Sequence, residues 1–290
     1  MQGGEDWREL VGHLRRIADA LEQGVMRPPE DWSASCAFRL HHRAGQLRLE
    51  PVQTFNPLDL SALRNIDVQA GKVDANTRQF VRGLPANNVL LTGARGTGKS
   101  SLVRAMLTRY QAEGLRLIEV DKSDLLFLQD VVDLVAARPE KFIVFCDDLS
   151  FEEGEPGYKA LKSVLDGSVA GTSPNVLIYA TSNRRHLLPQ MMKDNLATTH
   201  DQGEVRPAET IEEKVSLSDR FGVWVSFHNF TQDEYLEAVR MWLDHFACPL
   251  DDEARLIALR WTIDRGGRSG RLAFQFAKHW AGQKALKSDT

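Results

Sequence analysis

Residues 88–107 read NVLLTGARGTGKSSLVRAML, and this stretch decides the fold. Its apolar run at positions 89–91 is typical of a central parallel strand, because a strand covered on both faces is almost continuously hydrophobic. Apolar residues then recur at helical spacing over residues 102–110, which predicts a helix. A glycine-rich turn separates the two segments. A strand, a turn and a helix in this order predict the first unit of an α/β domain.

The turn at residues 93–100 has the pattern G-x-x-x-x-G-K-[ST] of a phosphate-binding loop. Glycines let successive backbone N–H groups point at phosphate oxygens, and the N-terminus of the next helix favours the same anion. Lys99 adds a positive charge for the β- and γ-phosphates of ATP, and the Ser100 hydroxyl is suited to Mg²⁺. The residues expected to bind the nucleotide are Gly93, Ala94, Arg95, Gly96, Thr97, Gly98, Lys99, Ser100 and Ser101.

A second chemical motif is KFIVFCDD at residues 141–148, where an apolar strand ends in two carboxylates. Ligands bind at the carboxyl ends of parallel strands, so Asp147 is placed to hold Mg²⁺ together with Ser100. Asp148 is next to it and is a candidate for the group that orients or activates the attacking water. Glu152 and Glu153, one short loop further on, are alternative candidates for that base.

Three polar residues complete the predicted site. Asn183 follows the apolar run over residues 175–181, and its amide can hydrogen-bond the γ-phosphate or the water. Arg220 precedes a further strand, from where it does not easily reach its own phosphate loop but can reach one in a neighbouring subunit, as arginine fingers do. Arg271 lies on the first turn of the last helix, where a cation is unfavourable and indicates an anion nearby.

Composition is that of an ordinary globular chain of 290 residues, with 42% hydrophobic and 26% charged residues and a net charge of -4. No global basic field indicates a nucleic-acid coat. Cys36, Cys146 and Cys248 are odd in number and widely spaced, which fits neither a disulfide framework nor a zinc knuckle. The N-terminus lacks the apolar core of a signal peptide, and no apolar run approaches the about 20 residues that span a bilayer. We therefore expect a cytoplasmic protein without a membrane segment.

The chain divides into three parts by composition and periodicity. Residues 1–55 predict a helix followed by a basic hairpin, residues 56–230 an α/β nucleotide-binding core, and residues 231–290 a set of helices. The polar connection over residues 191–210 is long for a compact domain, and is either a partner-contacting loop or a tolerated insertion.

The motifs GARGTGKS, IVFCDD, YATSN, SDRFG and RSGRLA, in this order, resemble those of an AAA+ ATPase module. That resemblance implies a five-stranded parallel sheet in the order 5-1-4-3-2, a C-terminal helical lid, and assembly of identical subunits into a ring or filament. It also implies that Asn183 is sensor 1, Arg220 the finger acting in trans and Arg271 sensor 2 in cis. More closely, PANNVLLTGARGTGKSSLV, FCDDLSFE and EEKVSLSDRFG look like the uncharacterised bacterial AAA+ family called domain of unknown function 815, over roughly residues 50–282.

One position departs from the AAA+ pattern, which usually ends its second motif in Asp-Glu rather than Asp147-Asp148. The shorter side chain at Asp148 implies slow hydrolysis, or transfer of its role to Glu152 or Glu153. Two functions follow from the sequence. The first is an ATPase with Lys99, Asp148, Asn183 and Arg220 in its catalytic machinery, which remodels or loads a protein or nucleic-acid client. The second is an ATP-switched adaptor with little turnover.

Overall fold

The computed structural model describes most of the chain, namely residues 26–43, 45–151, 155–167, 173–183, 187, 200–201, 204–205 and 217–288. The predicted N-terminal helix lies outside the described residues, and so do Glu152, Glu153 and most of the connection over residues 191–210.

One large sheet organises the fold. The strands of the described residues are, in chain order, β1 (Met26–Arg27), β2 (Ala37–Arg43), β3 (Gln46–Pro51), β4 (Val89–Gly93), β5 (Leu115–Glu119), β6 (Lys141–Cys146), β7 (Val176–Ser182), β8 (His200–Asp201), β9 (Glu204–Val205) and β10 (Val223–Phe227). Eight of these strands form one sheet in the spatial order β1-β3-β2-β5-β6-β7-β4-β10, while β8 and β9 form a separate two-stranded ribbon.

The strands β5, β6, β7, β4 and β10 are neighbours in that sheet and run parallel to one another. Val89 pairs with Tyr179 of β7 on one side and with Val223 of β10 on the other, so β4 lies between these two strands. Since all five strands run in the same direction, the carboxyl ends of β4, β6 and β7 meet at one edge of the sheet. The residues that follow these three strands are therefore brought together.

The N-terminal strands correct the expectation of five strands, because the hairpin β2–β3 and the short strand β1 extend the same sheet to eight. β2 and β3 pair antiparallel, β2 also pairs parallel with β5, and β1 pairs with β3. One face of the hairpin carries Phe38, Leu40, Leu47 and Leu49, all buried in the core. Two factors explain why the hairpin joins the sheet at β5. Its apolar face becomes buried, and β5 would otherwise have an unpaired edge, which is a template for further pairing.

Seven helices lie within the described residues: α1 (Asp67–Val81), α2 (Lys99–Tyr110), α3 (Leu128–Val135), α4 (Pro156–Asp166), α5 (Gln232–His245), α6 (Asp252–Asp264) and α7 (Gly270–Ser288). The first four cover both faces of the parallel strands. On one face, α3 and α4 pack in a cluster with Leu90 and Val144. On the other face, α1 and α2 pack with Val89, Leu91 and Ile143. Successive residues of β4 thus enter opposite clusters, and the predicted α/β fold is confirmed.

The last three helices enclose a core of their own, which includes Tyr235, Leu243 and Phe276. A capping box begins α5. The Thr231 hydroxyl accepts from the Glu234 N–H at 3.3 Å, and the Thr231 N–H donates to the Glu234 carboxylate at 2.7 Å. Within the described ranges, every helix falls short of the length and apolar character that a membrane crossing requires.

Candidate nucleotide-binding site

The glycine-rich loop connects β4 to α2 and contains three glycines with positive φ, Gly93, Gly96 and Gly98. Gly93 faces the end of β10 so closely that a Cβ there would lie 1.9 Å from the carbonyl oxygen of Phe227. Only glycine therefore allows β4 and β10 to end side by side at this point. Gly98 is the N-cap of α2, so the helix begins directly at Lys99 and presents its positive end to the loop.

Lys99 is buried inside this loop, with 6% of its surface exposed. Its ammonium donates to the backbone oxygens of Gly93 and Ala94, both at 2.7 Å, and to the side-chain oxygen of Asn183 at 3.0 Å. Burial lowers the pKa of Lys99 from 10.5 to about 8, although the nearby charges of Asp147 and Asp148 act in the opposite direction. The loop thus holds a poorly solvated cation whose three N–H groups donate to neutral oxygens.

Ser100 and Asp147 meet beside the lysine. The Ser100 hydroxyl donates to Oδ1 of Asp147 at 2.6 Å. A hydroxyl and a carboxylate side by side are the oxygen ligands that Mg²⁺ takes in nucleotide sites, usually together with waters and phosphates. The pair therefore fits a magnesium ion, and the structure brings together the two residues that the sequence assigns to the metal.

Asp148 occupies an unusual backbone conformation, with a φ of 53° in the left-handed region. Its carboxylate accepts a hydrogen bond from the Asn183 amide and forms an ion pair of 3.8 Å with Arg95. Both members of that ion pair are more than half exposed, so it contributes little to stability. Asn183 therefore links Lys99 to Asp148 in one hydrogen-bond network.

Thr181 is a member of this site that the sequence did not indicate. It lies near the end of β7 and is buried. Its hydroxyl donates to Oδ1 of Asp147 at 2.5 Å and accepts from the backbone N–H of Asp148 at 2.9 Å. The only signal in the sequence is a hydroxyl two positions before Asn183, within a run that otherwise favours a buried strand.

Arg271 is brought to the phosphate loop by the start of α7. Its backbone N–H donates to the carbonyl oxygen of Gly96 at 3.2 Å. A Cβ on Gly96 would lie 2.8 Å from both the Arg271 Cβ and the Ser269 hydroxyl, so the two segments are in direct contact. The positive charge of Arg271 also acts to lower the pKa of Lys99, although burial is the main cause.

Arg220 lies at the opposite edge of the sheet from the loop. It precedes β10, whose first residue, Val223, pairs with the first residue of β4, whereas Phe227 pairs with Gly93 at the far end. The guanidinium forms an ion pair with Asp166, the last residue of α4. Strands of this length place the two edges roughly 15 Å apart. The structure therefore does not bring Arg220 to the phosphate loop of its own chain.

Together, the parallel sheet, the phosphate loop, the paired acids and the helical C-terminal part define the fold of an AAA+ protein. Three solved structures share this fold. A variant of RuvB from Thermotoga maritima is 17% identical with a TM-score of 0.52, over 77% of this chain and 64% of that chain. The replication initiator DnaA bound to AMPPCP and single-stranded DNA is 15% identical with a TM-score of 0.52, over 80% of this chain and 70% of that chain. ORC1 from Aeropyrum pernix in complex with DNA is 16% identical with a TM-score of 0.50, over 72% of this chain and 57% of that chain.

The chain belongs to the family described as protein of unknown function (DUF815), whose match covers residues 33–284. The basic hairpin is therefore part of the family's common unit, although the resemblance read from the sequence begins only near residue 50. No curated protein matches the chain. The chain spans about 64% of the RuvB structure, and identities this low show a shared fold alone.

Proposed function

We propose that this chain binds MgATP at its phosphate loop and hydrolyses it at the interface between identical subunits. The observation that carries the proposal is one hydrogen-bond network at the edge of the sheet where β4, β6 and β7 end. It joins Lys99, Ser100, Asp147, Asp148 and Asn183, in part through Thr181. These residues follow three separate strands, β4, β6 and β7, and lie in segments that are distant in sequence. Their convergence matches the requirements of phosphoryl transfer, which needs phosphate binding, metal ligands and a positioned water.

Each residue has a role that its position supports. Lys99 and the N-terminus of α2 bind the phosphates, and Ser100 with Asp147 holds Mg²⁺, which neutralises phosphate charge when bound. Asn183 reaches both Lys99 and Asp148, so it is placed to orient the γ-phosphate or the water. We assign Asp148, whose carboxylate accepts from Asn183, as the general base, with Glu152 and Glu153 as alternatives.

The remaining parts of the site come from the C-terminal helices and from a second subunit. We assign α5–α7 as the lid, with Arg271 acting in cis, because the start of α7 contacts Gly96 directly. We assign Arg220 to a neighbouring site, because it lies across the sheet from its own loop. This arrangement requires a ring or filament of identical subunits.

The client is a protein or a nucleic acid that ATP turnover remodels or loads. The solved structures of DnaA and ORC1 contain DNA, which favours a nucleic acid. The hairpin offers the exposed cations Arg43 and Arg48 for such a client, whereas Arg39 is held by Glu119 at 2.6 Å. We also infer a cytoplasmic location, which the free thiols of Cys36, Cys146 and Cys248 support.

A second candidate function is an ATP-switched adaptor with little turnover. It is favoured by the short side chain of Asp148, which is already engaged by Asn183 and Arg95. Two measurements separate the candidates. Binding of a fluorescent ATP analogue, lost in Lys99→Ala, tests the nucleotide site itself. Steady-state phosphate release then decides the class, since several ATP per subunit per minute exclude a pure switch, and binding without such turnover excludes the ATPase.

A further inference from the structure

Thr181 occupies a central place between the two chemical strands. It is the last but one residue of β7 and pairs with Leu91 of β4, while the preceding Ala180 pairs with Cys146 of β6. Its side chain is 1% exposed. A buried hydroxyl in this position must find its hydrogen-bond partners within the protein, and it finds them among the acids of the site.

The Thr181 hydroxyl uses both of its hydrogen-bonding capacities there. It donates to Oδ1 of Asp147 at 2.5 Å and accepts from the Asp148 N–H at 2.9 Å. The same Oδ1 accepts from Ser100 at 2.6 Å. One hydroxyl therefore fixes the rotamer of the carboxylate proposed to hold Mg²⁺ and the backbone of the residue proposed to activate water.

The backbone of Thr181 acts on the same turn. Its carbonyl oxygen accepts from the N–H of Leu149 at 2.7 Å, so Thr181 holds the chain on both sides of Asp148. The left-handed φ of Asp148 costs free energy, although less for aspartate than for most residues with a side chain, and the two hydrogen bonds to Thr181 hold the turn in this conformation. This conformation directs the carboxylate to Asn183.

We propose that Thr181 is a positioning residue for ATP hydrolysis, which holds the Asp147 carboxylate against Ser100 and the Asp148 backbone in its left-handed turn. The inference rests on the proposed function, because it assigns the metal to Ser100 and Asp147 and the water to Asp148. Groups that orient metal ligands typically change metal affinity or activity by about 10- to 100-fold when they are removed.

The test compares Thr181→Val, which keeps the shape and removes the hydroxyl, with Thr181→Ser, which keeps the hydroxyl. Thr77→Val is a matched control, because Thr77 is equally buried and its hydroxyl bonds Tyr179 at 2.8 Å, in the core. For each variant we would measure thermal unfolding, affinity for an ATP analogue in Mg²⁺ and in EDTA, and steady-state kcat and KM.

We expect Thr181→Val to bind the analogue normally in EDTA, to lose the increase in affinity that Mg²⁺ gives, and to lose at least about tenfold in kcat. Thr181→Ser should remain within about threefold of the wild type in both. Thr77→Val should lose stability while kcat and the Mg²⁺ effect stay unchanged. If Thr181→Val does not fold, Thr181→Ala against Thr181→Ser makes the same comparison.

The outcomes separate this inference from the function on which it rests. A folded Thr181→Val with a normal Mg²⁺ effect and normal kcat overturns the positioning role while the nucleotide site stands. If the wild-type protein binds ATP but does not turn it over, the ATPase is excluded. The role of Thr181 is then tested by whether Thr181→Val loses the increase in affinity that Mg²⁺ gives. A wild-type protein that binds no nucleotide overturns both.

Discussion

The ammonium of Lys99 donates to the side-chain oxygen of Asn183 at 3.0 Å, a contact that ties the phosphate loop to the end of β7. The two residues are 84 positions apart in the chain. Because Lys99 also donates to two loop carbonyls, its charge is satisfied, within the described part of the chain, by neutral oxygens rather than by a direct ion pair. A cation held in this way is sensitive to pH.

The first prediction concerns ATP affinity at alkaline pH. Burial lowers the pKa of Lys99 to about 8, so the ammonium is lost as the pH rises above this value. Once it is lost, ATP affinity should decline by up to about tenfold per pH unit, and binding near pH 8 should take up protons. Isothermal titration calorimetry in buffers of different ionisation enthalpy measures both effects. Lys99→Arg keeps its charge over the same range and should abolish the proton uptake, so uptake that persists in this variant would contradict the assignment.

The same shift has a consequence for stability, with a defined sign. Between pH about 8 and 10.5 the unfolded chain binds the Lys99 proton and the folded chain does not. The contribution of Lys99 to the free energy of unfolding therefore increases as the pH rises through this window. Bound ATP removes the effect, because it favours the charged form in the folded protein.

The second prediction tests the contact between the phosphate loop and α7. Gly96→Ala puts a methyl group 2.8 Å from Arg271 and Ser269, at a φ of 76°. We expect α7 to be displaced from the loop, ATP to bind at least about tenfold more weakly, and the free energy of unfolding to fall by about 1–3 kcal/mol. Equilibrium nucleotide binding and urea unfolding measure the two effects.

Gly114→Ala is the matched control for this variant. Gly114 also has a positive φ, of 93°, but no atom lies within 4 Å of the position that a Cβ would take. The Gly114→Ala protein should therefore lose stability from backbone strain, while its affinity for ATP stays normal. Equal ATP affinity in the two alanine variants would show that the contact with α7 does not shape the nucleotide site.

Some of these features follow from sequence and others do not, for physical reasons. Ser100 and Asp147 could be assigned together because each follows a local pattern, and carboxyl ends of parallel strands meet at one edge. Thr181 could not be assigned, because threonine is an ordinary strand residue and its partners depend on the register that sets Ala180 beside Cys146. Register is a property of pairing between distant segments, which local periodicity does not contain.

The same limit explains the error in the sheet. The alternation around Phe38 and Leu49 correctly predicts two strands of a hairpin. It contains no information about the edge that the hairpin joins, which the structure shows to be β5 through the pairing of Ala37 with Leu117. The family and the α/β class were predictable because they depend on motifs and their order, and both are confirmed.

The third prediction identifies the general base. Asp148→Asn removes the carboxylate charge but keeps the shape, so ATP should bind within about threefold of wild type while turnover falls by about 10²- to 10⁴-fold. Glu152→Gln and Glu153→Gln are the controls and should turn over ATP normally. Single-turnover phosphate release at saturating ATP measures the chemical step. A loss in Glu152→Gln or Glu153→Gln with normal turnover in Asp148→Asn would transfer the role to that glutamate.

The last prediction tests whether Arg220 acts in trans. Lys99→Ala and Arg220→Ala should each be inactive alone. Mixed in equal amounts, they should regain up to about a quarter of wild-type turnover, because that fraction of random interfaces joins an intact loop to an intact finger. Phosphate release after mixing measures the recovery, and sedimentation establishes that each variant assembles. Arg220→Ala also breaks the pair with Asp166, but such a partly exposed pair contributes about 1 kcal/mol or less, so the variant should fold.

In the control for this mixture, the Lys99→Ala protein, which supplies the intact Arg220, is replaced by a double variant. Lys99→Ala with the additional change Arg220→Ala, mixed with Arg220→Ala, leaves every interface without a finger and should regain no activity. If activity recovers in the first mixture and not in this control, the active sites must be formed by residues of two chains. Assembled variants that regain nothing would place the role of Arg220 within its own chain. The β10–β4 pairing argues against that outcome, because it puts Arg220 before Val223 at one edge of the sheet and Gly93 at the other.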